Sequence, residues 1–80
     1  MSRMNWSKLD NNQVCKDIIE GKGLLSTIHL IVEHPGGMLY ETMFFAMDNE
    51  INGQWRYKTE EEAREGHAEI YAKILNGEEL

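Results

Sequence analysis

MLYETMFFAM, residues 38–47, is the stretch that decides the fold, because it is almost wholly apolar and carries one carboxylate, Glu41. Long apolar and aromatic runs of this kind, bounded by turn residues, are typical of buried strands. A buried charge without a partner costs on the order of several kcal/mol. We therefore expect a strand over residues 38–47 and a polar partner for Glu41 inside the protein.

Two further strands are expected on either side of this run. Residues 24–34 are rich in β-branched side chains, which favour a strand, and Pro35-Gly36-Gly37 then turns the chain into an antiparallel hairpin. Asn52-Gly53 is a good signal for positive backbone φ and predicts a second turn. The third strand is then expected over residues 54–58.

The C-terminal segment predicts a helix over residues 60–75. Thr59 and Glu62 have the spacing of a capping box, in which each side chain satisfies a free backbone amide of the first turn. Asn76-Gly77 predicts the end of the helix. One stripe at helical spacing is expected to face the sheet; it consists of Ala63, His67, Ile70, Tyr71 and Ile74.

The N-terminal part predicts another helix and a loose arm. Val14, Ile18 and Ile19 have helical spacing, Asp10 or Asn11 provides a cap, and the glycines after residue 20 end the helix. Residues 1–10 are mixed and polar and are expected to form a loose arm. The predicted fold is therefore one small α+β domain over residues 1–80, with an N-terminal helix, a three-stranded antiparallel meander and a C-terminal helix packed on one sheet face.

Composition narrows the function classes. The 80 residues include one cysteine, which excludes an internal disulfide, and 8 Lys+Arg against 14 Asp+Glu give a net charge of −6. Direct nucleic-acid binding relies on clustered cations and is not expected. No leader and no apolar stretch near the roughly 20 residues of a membrane span is seen. We expect a cytoplasmic protein without membrane contact, and, because so short a chain buries a thin core, a homodimer, a higher oligomer or a permanent partner.

Glu41 and His67 are the first candidate site. A hairpin loop of two or four residues places Glu41 on the same sheet face as Ile28, and the helix is expected to cover that more apolar face. His67 then lies on the same side as Glu41. The pattern favours a structural polar pair, and the functional alternative is an acid–base pair of a small hydrolase.

The opposite face of the hairpin is the candidate binding surface. It combines aromatic and polar side chains, and together with a cation on the next strand the expected ligand-binding set is His29, Tyr40, Thr42, Phe44 and Arg56. Three alternatives remain open for this face: an exposed binding surface, cover by the N-terminal helix, or burial in a dimer. A three-residue hairpin loop would exchange the two faces of the second strand. No metal or other cofactor is expected, since the histidines and carboxylates have poor ligand spacing.

Several short motifs resemble a group of small uncharacterised proteins encoded by bacteriophages and prophages. They are Tyr40-Glu41-Thr42-Met43-Phe44, Arg56-Tyr57-Lys58-Thr59, Glu62-Ala63 and Gly66-His67, and the resemblance covers roughly residues 26–75. It implies a phage accessory protein that works in the cytoplasm of an infected bacterium. It implies no catalytic or ligand residues.

The sequence and the resemblance together lead to three hypotheses. The first is a non-enzymatic phage accessory binding protein that counteracts a host defence system by sequestering a small anionic or nucleotide signal. The second is an acidic inhibitor that docks on a basic, nucleic-acid-handling host protein. The third is a small hydrolase that uses Glu41 and His67.

Overall fold

The computed structural model describes residues 12–48 and 50–80. These residues form a four-stranded antiparallel sheet, in which the strands lie side by side in chain order, followed by one helix. The elements are β1 (Gln13–Ile19), β2 (Gly23–His34), β3 (Met38–Ala46), β4 (Ile51–Tyr57) and α1 (Glu60–Leu75). The predicted arm over residues 1–10 lies outside the described residues.

The predicted N-terminal helix is wrong, because residues 13–19 form the edge strand β1. In the strand, Ile18 and Ile19 point to opposite faces, so Ile19 is buried while Ile18 is 80% exposed. The turn at residues 20–22 brings β1 back along β2, and Ile18 pairs with Leu24. Helical spacing in so short a segment does not exclude a strand, and pairing with β2 decides the outcome here.

The predicted number of three strands is therefore wrong as well, although the α+β class is confirmed. Strands β2 and β3 lie within a residue of their predicted positions, whereas β4 begins at Ile51, earlier than expected. An irregularity in pairing between Phe44 and Phe45 lets β4 continue through Gly53. Asn52-Gly53 is thus part of a strand and not a turn.

The strand register puts residues from all strands into rows. Thr27 pairs with Thr42, and Ile28 pairs with Glu41, so the predicted grouping of Ile28 and Glu41 on one face is confirmed. His34 pairs with Met38 across a three-residue turn. An irregularity between His29 and His34 compensates for that odd loop length and keeps the faces of β3 as predicted.

Helix α1 covers the other face of the sheet from the one predicted. The buried core on the helix side consists of Ile19, Leu25, Phe44, Ile70 and Ile74, with Trp55 and Tyr71 packed against it. The pair Leu25 and Phe44 lies on the same face as the pair Thr27 and Thr42, and Glu41 lies on the reverse side. The prediction that α1 covers the more apolar face is wrong. The helix packs instead on the face whose side chains fit its own stripe.

The ends of α1 are as predicted. The Thr59 hydroxyl accepts a hydrogen bond from the Glu62 amide at 3.1 Å, and the Glu62 carboxylate accepts one from the Lys58 amide at 3.2 Å. At the other end, Gly77 has φ 74°, and the amides of Gly77 and Glu78 donate to the carbonyls of Ile74 and Lys73. The helix therefore has both ends capped by its own sequence.

Gly66 allows α1 to lie close to β4. A Cβ atom at this position would overlap the phenol ring of Tyr57. The absence of a side chain lets the Tyr57 hydroxyl reach under the helix towards the middle of the sheet. The Tyr57 hydroxyl thereby reaches the polar residues in the core.

Candidate functional site

A chain of polar side chains runs through the interior between the sheet and α1. His67, on the helix, makes a hydrogen bond through Nδ1 to the Thr27 hydroxyl at 2.7 Å and through Nε2 to the Asp17 carboxylate at 2.8 Å. The hydroxyls of Thr27 and Thr42 are 2.5 Å apart. Tyr57 continues the chain through a side-chain hydrogen bond to Thr42. We call these five residues the core chain; they come from all four strands and the helix.

The core chain is continuous from Asp17 to Tyr57. Both ring nitrogens of His67 have a partner, one in the Asp17 carboxylate and one in the Thr27 hydroxyl. The Thr27 hydroxyl also bonds to that of Thr42, and Thr42 bonds to the Tyr57 phenol. Each buried group has a partner, which is what permits polar atoms in so small a core.

Burial also changes the pKa of Tyr57, the last residue of the core chain. Desolvation raises the pKa of the Tyr57 phenol above its usual value of 10.0, the hydrogen bond with Thr42 acts in the opposite direction, and the charge of Glu69 adds to the rise. Tyr57 is therefore a neutral phenol at neutral pH.

The order Asp17–His67–Thr27 resembles the components of a nucleophile, base and orienting acid, but access argues against such a role. Thr27 and Thr42 are fully buried, and His67 is 4% exposed. A nucleophilic hydroxyl must reach a substrate atom, and its base must be free to take the proton. The buried hydroxyls already have partners, so the core chain fixes how α1 sits on the sheet.

Glu41 has a separate environment on the reverse side of the sheet. Its carboxylate accepts hydrogen bonds from Gln54 Nε2 at 2.5 Å and from Arg56 Nε at 2.9 Å. Because α1 covers the other face, the predicted pair of Glu41 with His67 is not formed. The expectation that each of the two would find a polar partner is confirmed, with different partners.

The five residues predicted to bind a ligand do not form one site. Thr42 and Phe44 lie in the core under α1, where they are 0% and 5% exposed. The rings of His29 and Tyr40 stack on the helix side, with centroids 4.8 Å apart. Arg56 lies on the reverse side with Glu41. Only His29 and Tyr40 remain together in an accessible place.

These two rings line a small polar groove near the start of α1. Its volume is about 200 Å³, and its wall also includes Gln13, Glu60 and Arg64. Arg64 already binds the Glu60 carboxylate at 2.8 Å. Pockets for drug-sized ligands hold roughly 300–1,000 Å³, so the groove has room for a small anion and not for a whole nucleotide.

The largest accessible feature is the sheet face that α1 leaves uncovered. We call it the open face and define it by three rows of paired residues, which are Ile18, Leu24, Phe45 and Ile51; Lys16, Ser26, Met43 and Gln54; and Ile28, Glu41 and Arg56. No element among residues 12–48 and 50–80 packs on it. One end of the face forms an apolar hollow of about 560 Å³ between β1 and β3.

Four members of the core chain and the Glu41 group are not among the predicted site residues, namely Asp17, Thr27, Gln54 and Tyr57. Asp17 was missed because its segment was assigned to a helix, whereas Thr27 and Gln54 could be found from register alone, since they pair with or lie beside Thr42 and Glu41. Among the described residues, no three His, Cys, Asp or Glu side chains come together in a way that could hold a metal ion.

Comparisons with protein-family models, with curated proteins and with solved structures found no match. Among residues 12–48 and 50–80, the structure contains no helix of the length and apolar character needed to cross a membrane.

Proposed function

We propose that this protein is a non-enzymatic, protein-binding module and that the open face is its binding surface. The observation that carries the proposal is the composition of this face. An apolar row that crosses all four strands lies beside a polar group on β3 and β4, in which Gln54 and Arg56 both donate hydrogen bonds to Glu41. Protein interfaces commonly combine an apolar centre, few unpaired charges and an arginine in this way.

The shape of the open face supports a protein partner. A small molecule is usually enclosed by a cavity, whereas the open face is broad and extends over four strands. Ile18 and Ile51 on this face are 80% and 54% exposed, and Met47 beside it is 69% exposed. An apolar surface of this extent is a typical sign of an interaction site.

The hydrolase alternative has the least support. Glu41 and His67 lie on opposite sides of the sheet, and each is engaged by other residues. The resemblance to small phage proteins makes a bacterial host the proposed setting.

Site-specific photocrosslinking in bacterial cells tests the proposal. A photoreactive phenylalanine analogue replaces Met43 in the middle of the open face or, as a matched control, Ala68 on the exposed side of α1. We expect protein adducts from position 43 and few from position 68. Adducts only from position 68, or none from either, would contradict the proposal.

A second candidate function, sequestration of a small anion, is favoured by one observation. The stacked rings of His29 and Tyr40 and the guanidinium of Arg64 line the same groove. Inorganic phosphate and other small anions should then raise the melting temperature, and Arg64→Gln should abolish the effect. An unchanged melting temperature with every anion would eliminate this candidate.

A further inference from the structure

We infer that the partner on the open face is a second copy of this chain, so that two sheets pack face to face and the two helices lie outside. The inference rests on the proposed function and specifies its partner. Three observations carry it: the exposed apolar rows, the distribution of charge and the size of the face.

The apolar rows need a cover that the described part of the protomer does not supply. Leu24, Met43 and Phe45 are half-buried by their neighbours in the sheet, and Ile18 is 80% exposed. Sheets with two apolar faces are normally covered on both sides. A second sheet with the same rows supplies matching side chains over the whole surface, as in a sandwich.

The charges select a second copy over a strongly charged partner. The three rows carry Lys16, Glu41 and Arg56, and the Glu41 carboxylate is already bound by Arg56 at 2.9 Å. The exposed side of α1 is different, since the helix contains five glutamates against Arg64 and Lys73. Two copies of a chain with net charge −6 therefore meet with least repulsion through their open faces.

The size of the face fits a reversible dimer. Four strands spaced by about 4.8 Å and about seven residues long at about 3.4 Å per residue give a flat projection of roughly 450 Å². The relief of the side chains increases the accessible area above this value. Specific interfaces begin near about 600 Å² per partner, so the flat projection of the open face lies below that value, and the dimer should be weak. Association should accordingly depend on protein concentration.

Sedimentation velocity of the purified full-length chain over a range of concentrations is the test. We expect the wild-type protein to reach twice the chain mass of 9.3 kDa. Met43→Glu places one carboxylate from each copy at the centre of the interface and should weaken the dimer at least about tenfold. Ala68→Glu adds the same charge on the exposed side of α1 and should leave the dimer unchanged.

A second variant distinguishes a weaker dimer from a misfolded protein. Ile18 is 80% exposed in the protomer, so Ile18→Lys should fold normally and also weaken the dimer. Circular dichroism confirms the fold of each variant. A wild-type dimer that both open-face variants leave intact would place the interface elsewhere and overturn the inference.

The two proposals fail in different ways. A wild-type protein that stays monomeric at every concentration overturns the dimer. Crosslinks from position 43 to a different protein would then still support the proposed function, whereas a crosslink from position 43 to the same chain's own N-terminal residues would contradict both.

Discussion

Replacing Thr27 by valine tests whether hydrogen bonding or packing makes the core chain important. Valine has nearly the same shape as threonine and keeps the buried volume, but it removes the hydroxyl between His67 and Thr42. Both neighbours then lose a partner at fully or almost fully buried positions. We expect Thr27→Val to lower stability and Thr27→Ser to lower it less.

The magnitude follows from the number of groups left without a partner. An unsatisfied buried polar group costs about 1–3 kcal/mol, so two of them should cost about 2–6 kcal/mol. Thr27→Ser keeps the hydroxyl and loses one buried methyl group, worth about 1 kcal/mol. At about 0.05–0.15 kcal/mol per residue, a chain of this length has roughly 4–12 kcal/mol of stability in total. The valine variant should thus lose a large share.

Urea unfolding followed by tryptophan fluorescence measures these differences. With a slope of about 1 kcal/mol per molar urea, the midpoint of Thr27→Val should decrease by about 2 M or more. All variants must be compared at one protein concentration, because a dimer would add a concentration-dependent term. A serine variant less stable than the valine variant would show that packing dominates and would refute the reasoning.

Three further predictions concern the way α1 is attached. Gly66→Ala should lower stability by about 1–3 kcal/mol despite the better helix propensity of alanine, because the new methyl group overlaps Tyr57. The melting temperature measures this loss. The control Ala68→Gly measures the contribution of helix propensity alone. Thr59→Ala should cost about 1 kcal/mol in urea unfolding through loss of the N-cap, while Thr59→Ser should change little. The folded state holds the Tyr57 proton more tightly than the unfolded state, so stability should fall as pH rises above the unfolded pKa of 10.0. Melting temperatures between pH 8 and 11 should show a smaller fall for Tyr57→Phe, and an equal fall would contradict the assignment.

Helix α1 could be predicted because its signals are local. Thr59 and Glu62 fix the start of α1 within one turn of chain, and Gly77 fixes its end. The identity of β1 depends instead on pairing with β2. Val14, Ile18 and Ile19 fit a helix and a strand about equally well in isolation, and only the hairpin with β2 distinguishes the two.

The candidate sites were predicted wrongly because they depend on which sheet face α1 covers, and no local sequence pattern specifies that face. The predicted register correctly grouped Glu41 with Ile28. The side on which α1 packs then decides which face becomes the core. Thr27 and Thr42 are less apolar than the side chains on the reverse face, yet their hydroxyls match the imidazole of His67. A comparison of hydrophobicity alone therefore favours the wrong face, whereas a search for partners of His67 would have favoured the right one.

The placement of polar groups explains how a chain of 80 residues can have two different sheet faces. On the helix side, the polar groups of the core chain satisfy one another, and the chain ties α1 to all four strands. On the open face, Glu41 and Arg56 pair with each other, and apolar side chains of all four strands stay uncovered by α1. The polar groups of the first face are therefore used within the fold, and we propose that the second face is used for contact with another protein.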